Sequence, residues 1–168
     1  MEITCQLIFV PPYYDNFGKR LVKSPTLYFA DSGLSCHLLG IENERMLRAS
    51  PFFGALFEGF VASEIVKRQV NAGRRKELYY FRDQQGLEVD FVAPGAGNRL
   101  LLMEAKATRT LRPDMTSSLH ALARKGSLRH TIERYVVHDA PARQEPVTHA
   151  LSPGVTAIAP AELGRLWS

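Results

Sequence analysis

Three apolar stretches follow one another at residues 77–82, 87–93 and 99–107, each short and each bounded by turn residues. Runs of this length, separated by Asp83-Gln-Gln-Gly86 and Pro94-Gly-Ala-Gly97, read as strands of a sheet. The last two carry charged residues that a plain apolar strand does not need. Alternation puts Leu87, Val89, Phe91 and Ala93 on one face of the second strand and leaves Glu88, Asp90 and Val92 on the other. In the third, Glu104 and Lys106 are two residues apart and project from one side. If the two strands are neighbours, Asp90 faces that pair.

Two carboxylates held a few ångströms apart repel, so one keeps a proton unless a cation lies between them. A hard divalent ion such as Mg2+, or Mn2+, suits such a pair, because it prefers oxygen ligands and keeps several waters. Lys106 would then orient or help deprotonate an attacking water, or offset charge building on a phosphate. The alternative is a surface ion pair between Glu104 and Lys106, with Asp90 a solvated residue.

Upstream, residues 52–69 place Phe53, Leu56, Phe57, Phe60, Val61 and Ile65 at helical spacing. Glu58 lies at the margin of this stripe, and Gly54 one turn before it leaves room for a close approach by another element. Glu64 falls near the stripe's middle. A carboxylate on an apolar face needs a partner. For Glu58 that partner is either a metal ion or a basic neighbour; for Glu64 an arginine is expected.

The helix with Gly54-Ala-Leu-Phe-Glu58, the strand with Asp90 and the strand ending Glu104-Ala105-Lys106 resemble the nuclease superfamily named for its PD-(D/E)XK motif. More closely, Arg20-Leu-Val-Lys-Ser-Pro-Thr-Leu-Tyr-Phe-Ala-Asp-Ser-Gly-Leu34, Leu38-Leu-Gly-Ile41 and the segments 54–64 and 77–91 resemble the uncharacterised domain, family 4143 of unknown function, that ends many prokaryotic AAA-type ATPases. The resemblance spans roughly residues 17–168. It implies an α/β, restriction-endonuclease-like core, a mixed sheet flanked by helices, at 51–168. A small winged-helix-like remnant and linker would precede it at 1–50. It also implies Asp90, Glu104 and Glu58 as metal-holding residues, Lys106 as the fourth catalytic residue, and an AAA-type ATPase as a partner. Val89 stands where the superfamily's usual proline would precede the first strand acid.

Other chemistries find little support. There is no Gly-x-x-x-x-Gly-Lys-Ser/Thr string, and Gly95-Ala-Gly97 leads into Asn-Arg-Leu, so neither a P-loop nor a dinucleotide fingerprint is present. No Gly-x-Ser-x-Gly elbow points to a serine hydrolase. His37, His120, His130, His138 and His149 lack zinc-ligand spacing. Cys5 and Cys36 are expected as buried, reduced thiols, which suits the cytoplasm. No apolar run reaches membrane-spanning length, and Met1-Glu2-Ile3-Thr4 does not open like a signal peptide.

At 168 residues and a net charge of +4, the composition fits one domain-sized core. The placement of charge is more telling than its sum. Lys67, Arg68, Arg74, Arg75, Lys76 and Arg82 surround the helix end and first strand, while Arg109, Arg112, Arg124, Lys125 and Arg129 follow the Glu-x-Lys strand. Arg74, Arg75, Lys76, Arg109 and Arg112 are the candidates for tracking DNA phosphates; a plain basic surface is the alternative.

Further along, a short helix capped by Asp31 or Ser32 is expected at 33–39 with Gly40 as its stop, a helix at 114–124, and strands at 134–138 and 155–158. Residues 140–146 read as a loop and 160–167 as a terminal helix. The apolar set Leu7, Ile8, Phe9, Tyr13, Tyr14, Leu27, Tyr28 and Phe29 is expected either to fold back on the core or to mediate a homodimer. The resulting expectation is a metal-dependent DNA phosphodiesterase, or alternatively a catalytically silent DNA- or protein-binding module working with an ATPase.

Overall fold

The computed structural model describes residues 7–13, 24–125, 130–140 and 148–167. Cys5, Tyr14, Arg20, Arg129 and most of the expected loop at 140–146 lie outside the described residues. The chain is an α/β protein built on a six-stranded mixed sheet. In chain order the elements are β1 (Leu7–Val10), β2 (Thr26–Phe29), α1 (Ser32–Leu38), α2 (Glu44–Ala49), α3 (Phe53–Asn71), β3 (Tyr79–Arg82), β4 (Glu88–Pro94) and β5 (Arg99–Lys106). A 3-10 turn at Pro113–Thr116 leads into α4 (Ser117–Lys125), followed by β6 (Thr131–His138), β7 (His149–Ser152), β8 (Val155–Ile158) and a 3-10 helix at Pro160–Trp167. The sheet runs β3-β4-β5-β6-β8-β7. β5, β6 and β8 are parallel, and the other pairings are antiparallel.

Each face of the sheet is covered by a helix whose apolar stripe the sequence carries. Phe57, Val61, Ala62 and Ile65 of α3 bury against Phe91, Ala93, Leu101 and Met103. On the other face Leu119 and Leu122 of α4 pack against Val92, Leu100, Leu102 and Val136. Glu64 pairs with Lys67 at 3.3 Å and Arg68 at 3.7 Å, so the expected arginine partner is one turn away on the same helix. The α3 helix ends where Gly73 takes φ +68 and the Arg74 N–H donates to the Gln69 carbonyl at 2.9 Å. Asp31 caps α1 by accepting from the Gly33 and Leu34 N–H groups, and Gly40 follows its end at φ +68.

Several expectations need correcting. Gly54 makes no close approach: a Cβ there would meet nothing within 4 Å, whereas one on Gly59 would come within 3.6 Å of Tyr28. The helix expected at 114–124 is split, because Pro113 opens a 3-10 turn before α4 starts. The terminal helix is 3-10 throughout. α2 and β7 are additions: α2 is six residues set by the Asn43 cap, and β7 is held by the hairpin through Gly154 at φ +68. Cys36 is only half-buried and lines a surface cleft of about 570 Å³.

The N-terminal residues lie on the core. β1 and β2 pair as an antiparallel ribbon whose inner side chains, Ile8, Val10 and Tyr28, join the cluster beneath α3. The strand then continues onto the outer edge of β3: Tyr80 donates its N–H to the Pro11 carbonyl at 3.1 Å and accepts from the Tyr13 N–H at 2.7 Å. Phe9, Leu27 and Phe29 remain exposed on the ribbon's outer face.

Candidate active site

The alternation expected in β4 breaks at the residue that matters most. Val89 and Val92 enter the α4-side cluster while Phe91 and Ala93 enter the α3-side cluster, so the four residues expected on one face are divided between two. The cause is a bulge. Tyr79 opposes Val92 and Phe81 opposes Val89, so two steps along β3 match three along β4. The extra residue kinks the strand at Asp90. The β4–β5 ladder ends at Phe91 opposite Met103. Beyond it, the Ala105 N–H donates to Asp90 Oδ2 at 2.8 Å, so the side chain takes the place of a ladder rung.

β5 behaves as its sequence predicts. Leu101, Met103 and Ala105 pack on the α3 side; Leu100 and Leu102 pack on the α4 side, which Glu104 and Lys106 share by alternation. Lys106 Nζ donates to Glu104 Oε2 at 2.7 Å. Glu104 is only 4% exposed, and its Oε1 is buried without a hydrogen-bond partner among the described residues. Burial, reinforced by the Asp90 charge, pushes its pKa up to about 8 despite Lys106. Asp90 is itself raised by burial, against the pull of the Ala105 N–H and of Lys106. Burial works against the Lys106 ammonium, but Glu104, Asp90 and Glu58 outweigh it and hold its pKa above the usual lysine value.

Glu58 reaches the same charge cluster from α3. Burial and the Asp90 carboxylate raise its pKa, and the Lys106 charge acts on it in the opposite direction. Its Oε1 accepts a hydrogen bond from the Tyr28 hydroxyl. The sequence places Tyr28 only in the N-terminal apolar set, because an inward position in a four-residue strand says nothing of a carboxylate thirty residues away.

Asp90 and Lys106 each act on both Glu58 and Glu104. Among the described residues, however, no three His, Cys, Asp or Glu side chains form a group that could hold a metal ion. The donor set that fits a cation is the Asp90–Glu104 pair, since Glu104 Oε1 lacks a donor and both acids are held above their usual range. A hard ion that keeps most of its water matches two carboxylates.

The basic candidates are dispersed. Arg74 donates to the Trp167 carbonyl at 2.9 Å, and the Trp167 indole donates to the Pro94 carbonyl at 2.9 Å. That is the other end of β4 from Asp90, roughly 13 Å of strand away. Arg75 is exposed and Lys76 half-buried in the same connection to β3. Arg109, just past Lys106, pairs with Glu44 at 3.4 Å and Asp139 at 3.8 Å, and Arg112 pairs with Asp114 at 3.2 Å. Of the five, Arg109 is the one tied to Asp139, whose N–H bonds to the Lys106 carbonyl at 3.3 Å.

The fold and this site define an α/β domain with a buried acidic pair and an attendant lysine at one end of its sheet. The chain belongs to the family described as domain of unknown function DUF4143, which matches residues 53–152. A second domain of unknown function, DUF8612, matches residues 3–45. Over 110 residues the chain is 36% identical to uncharacterized protein Mb2031c of Mycobacterium bovis and equally to uncharacterized protein Rv2008c of Mycobacterium tuberculosis. Each match covers 66% of this chain and 23% of the relative, so the chain spans about a quarter of those proteins. Among solved structures, protein VC1899 from Vibrio cholerae is similar at TM-score 0.44 and 25% identity, over 74% of this chain and 34% of that one. A half-complex of Thermococcus gammatolerans McrB AAA+ hexamers with bound McrC is similar at TM-score 0.39 and 16% identity, over 63% and 27%. Neither structural likeness bears on what the site does. No helix among the described residues is long and apolar enough to cross a membrane.

Proposed function

We propose that the domain is a metal-dependent phosphodiesterase acting on DNA. The observation that carries this reading is the buried Glu104 carboxylate, with one oxygen on Lys106, the other without a donor, and Asp90 beside it. Asp90 and Glu104 would hold Mg2+ or Mn2+, which when bound supplies Lewis-acid polarisation of a phosphate and a more acidic water. Glu58 would hold a water at the margin of the site. Lys106 keeps its proton and so places a fixed positive charge where a phosphate gathers negative charge in displacement. Burial of both acids excludes bulk water and strengthens each of these interactions.

A second reading, a catalytically silent module that binds DNA or a protein partner such as an AAA-type ATPase, is favoured by a specific surface. Leu27, Phe29, Leu38, Leu39 and Phe52 are exposed around one apolar groove that Tyr28 and Glu58 also line. Exposed apolar groups in such number mark interfaces, a homodimer included. One experiment separates the two. Linear, nicked, branched and single-stranded DNA are incubated with the protein, with and without Mg2+ or Mn2+, alongside Asp90→Ala and Lys106→Ala. Cation-dependent cleavage lost in both variants supports the phosphodiesterase. DNA binding without cleavage, together with no Mn2+ uptake at millimolar concentration, supports the silent module.

A further inference from the structure

The ribbon at the N-terminus delivers a side chain to the acidic site. We propose that Tyr28 is a positioning residue of that site: its hydroxyl holds Glu58 Oε1, so that Glu58 turns its remaining oxygen toward the Asp90–Glu104 cation site and a water bound there. The inference rests on the reading of Asp90 and Glu104 as cation ligands.

Every constraint on Tyr28 fixes its hydroxyl. Its rung with Ile8 sets the strand, and Ser63 of α3 donates to the Ala30 carbonyl at 2.5 Å, tying the end of β2 to the helix that carries Glu58. The ring lies against Phe91, centroids 6.0 Å apart, and over Gly59, where an added Cβ would sit in ordinary contact with it at 3.6 Å. Phe91 neighbours Asp90 in the bulge, so one ring touches both the helix and the strand that supply the acids. Among the described residues Glu58 Oε2 has no protein hydrogen bond, which leaves it for a water. Residues that orient metal-site carboxylates from outside the ligand set are commonly needed for affinity. The segment matched by the second domain family would therefore supply part of the site.

The test measures Mn2+ affinity by the electron paramagnetic resonance of free Mn2+, with thermal stability followed in parallel, for wild type, Tyr28→Phe, Glu58→Gln, the double variant and Leu27→Ala. Tyr28→Phe keeps the ring and its packing, so a purely structural role predicts unchanged Mn2+ affinity. The proposal predicts affinity weaker by roughly ten-fold with little change in melting temperature. It also predicts a double variant no weaker than Glu58→Gln, and Leu27→Ala, on the ribbon's outer face, equal to wild type. Unchanged affinity in Tyr28→Phe, or losses that add in the double variant, would overturn it while leaving the phosphodiesterase reading standing. If wild type takes up no Mn2+, or Asp90→Ala binds it as well as wild type does, that underlying reading falls and this one with it.

Discussion

A carboxyl that keeps its proton to about pH 8 leaves a signature in stability. In the unfolded chain Glu104 loses its proton near the ordinary glutamate value, so between there and about 8 the folded state holds more protons than the unfolded one. Its contribution is complete at low pH and is lost as pH rises through about 8. Asp90 and Glu58, also raised, act with the same sign. Melting temperature should therefore fall between pH 5 and 8.5 by several degrees more in wild type than in Glu104→Gln. Millimolar Mg2+ should restore the wild type at the higher pH. Calorimetry across that range checks both, and a flat wild-type profile would show that Glu104 does not hold the proton. Glu104 and Lys106 were legible because a regular strand alternates. Asp90 was reached for a partly mistaken reason: a period of two cannot reveal an inserted residue, since the bulge is set by Tyr79 and Phe81 across the ladder.

Among the elements, α3 shows how a sequence pattern positions a site. Its apolar spacing announces the helix and its buried face, yet what fixes its far end is polar. Gln69 Nε2 donates to the Glu77 carbonyl at 3.1 Å, and Gln69 Oε1 accepts from the Glu77 N–H at 3.0 Å. This clasp closes the connection from α3 to β3, and Gln69 is buried. Gln69→Leu should destabilise by about 1–3 kcal/mol, because it strands two backbone groups beside an apolar side chain. Urea denaturation measures the difference, and an unchanged midpoint would mean that the clasp contributes nothing. Nothing in the sequence pairs residues 69 and 77, since a glutamine on a helix reads as solvent-facing. The same limit hid α2 and β7, whose few residues gain their order from the Asn43 cap and from β8 rather than from any periodicity.

Over the whole molecule, the distribution of arginines decides where nucleic acid can lie. Charge counted along the chain joins 74–76 to the site, but the fold carries Arg74 to the Trp167 end. Arg109→Ala should flatten the dependence of log affinity on log salt by about one phosphate contact. Arg74→Ala should leave that slope alone and lower stability instead, through the lost bond to Trp167. Fluorescence anisotropy over a salt series, with a melt of each variant, tests the pair; equal effects on the slope would mean that DNA tracks both ends. The seam between Pro11–Tyr13 and Tyr80 bears on a different hazard. β3 ends the sheet, and its Tyr79-Tyr80-Phe81 backbone would otherwise invite a strand from another molecule. The N-terminal chain occupies Tyr80's outward N–H and carbonyl and sets Pro12, which has no N–H to offer a further strand, opposite Tyr80. A protease that trimmed this segment would leave an open sheet edge, and the first sign of its loss would be aggregation on storage.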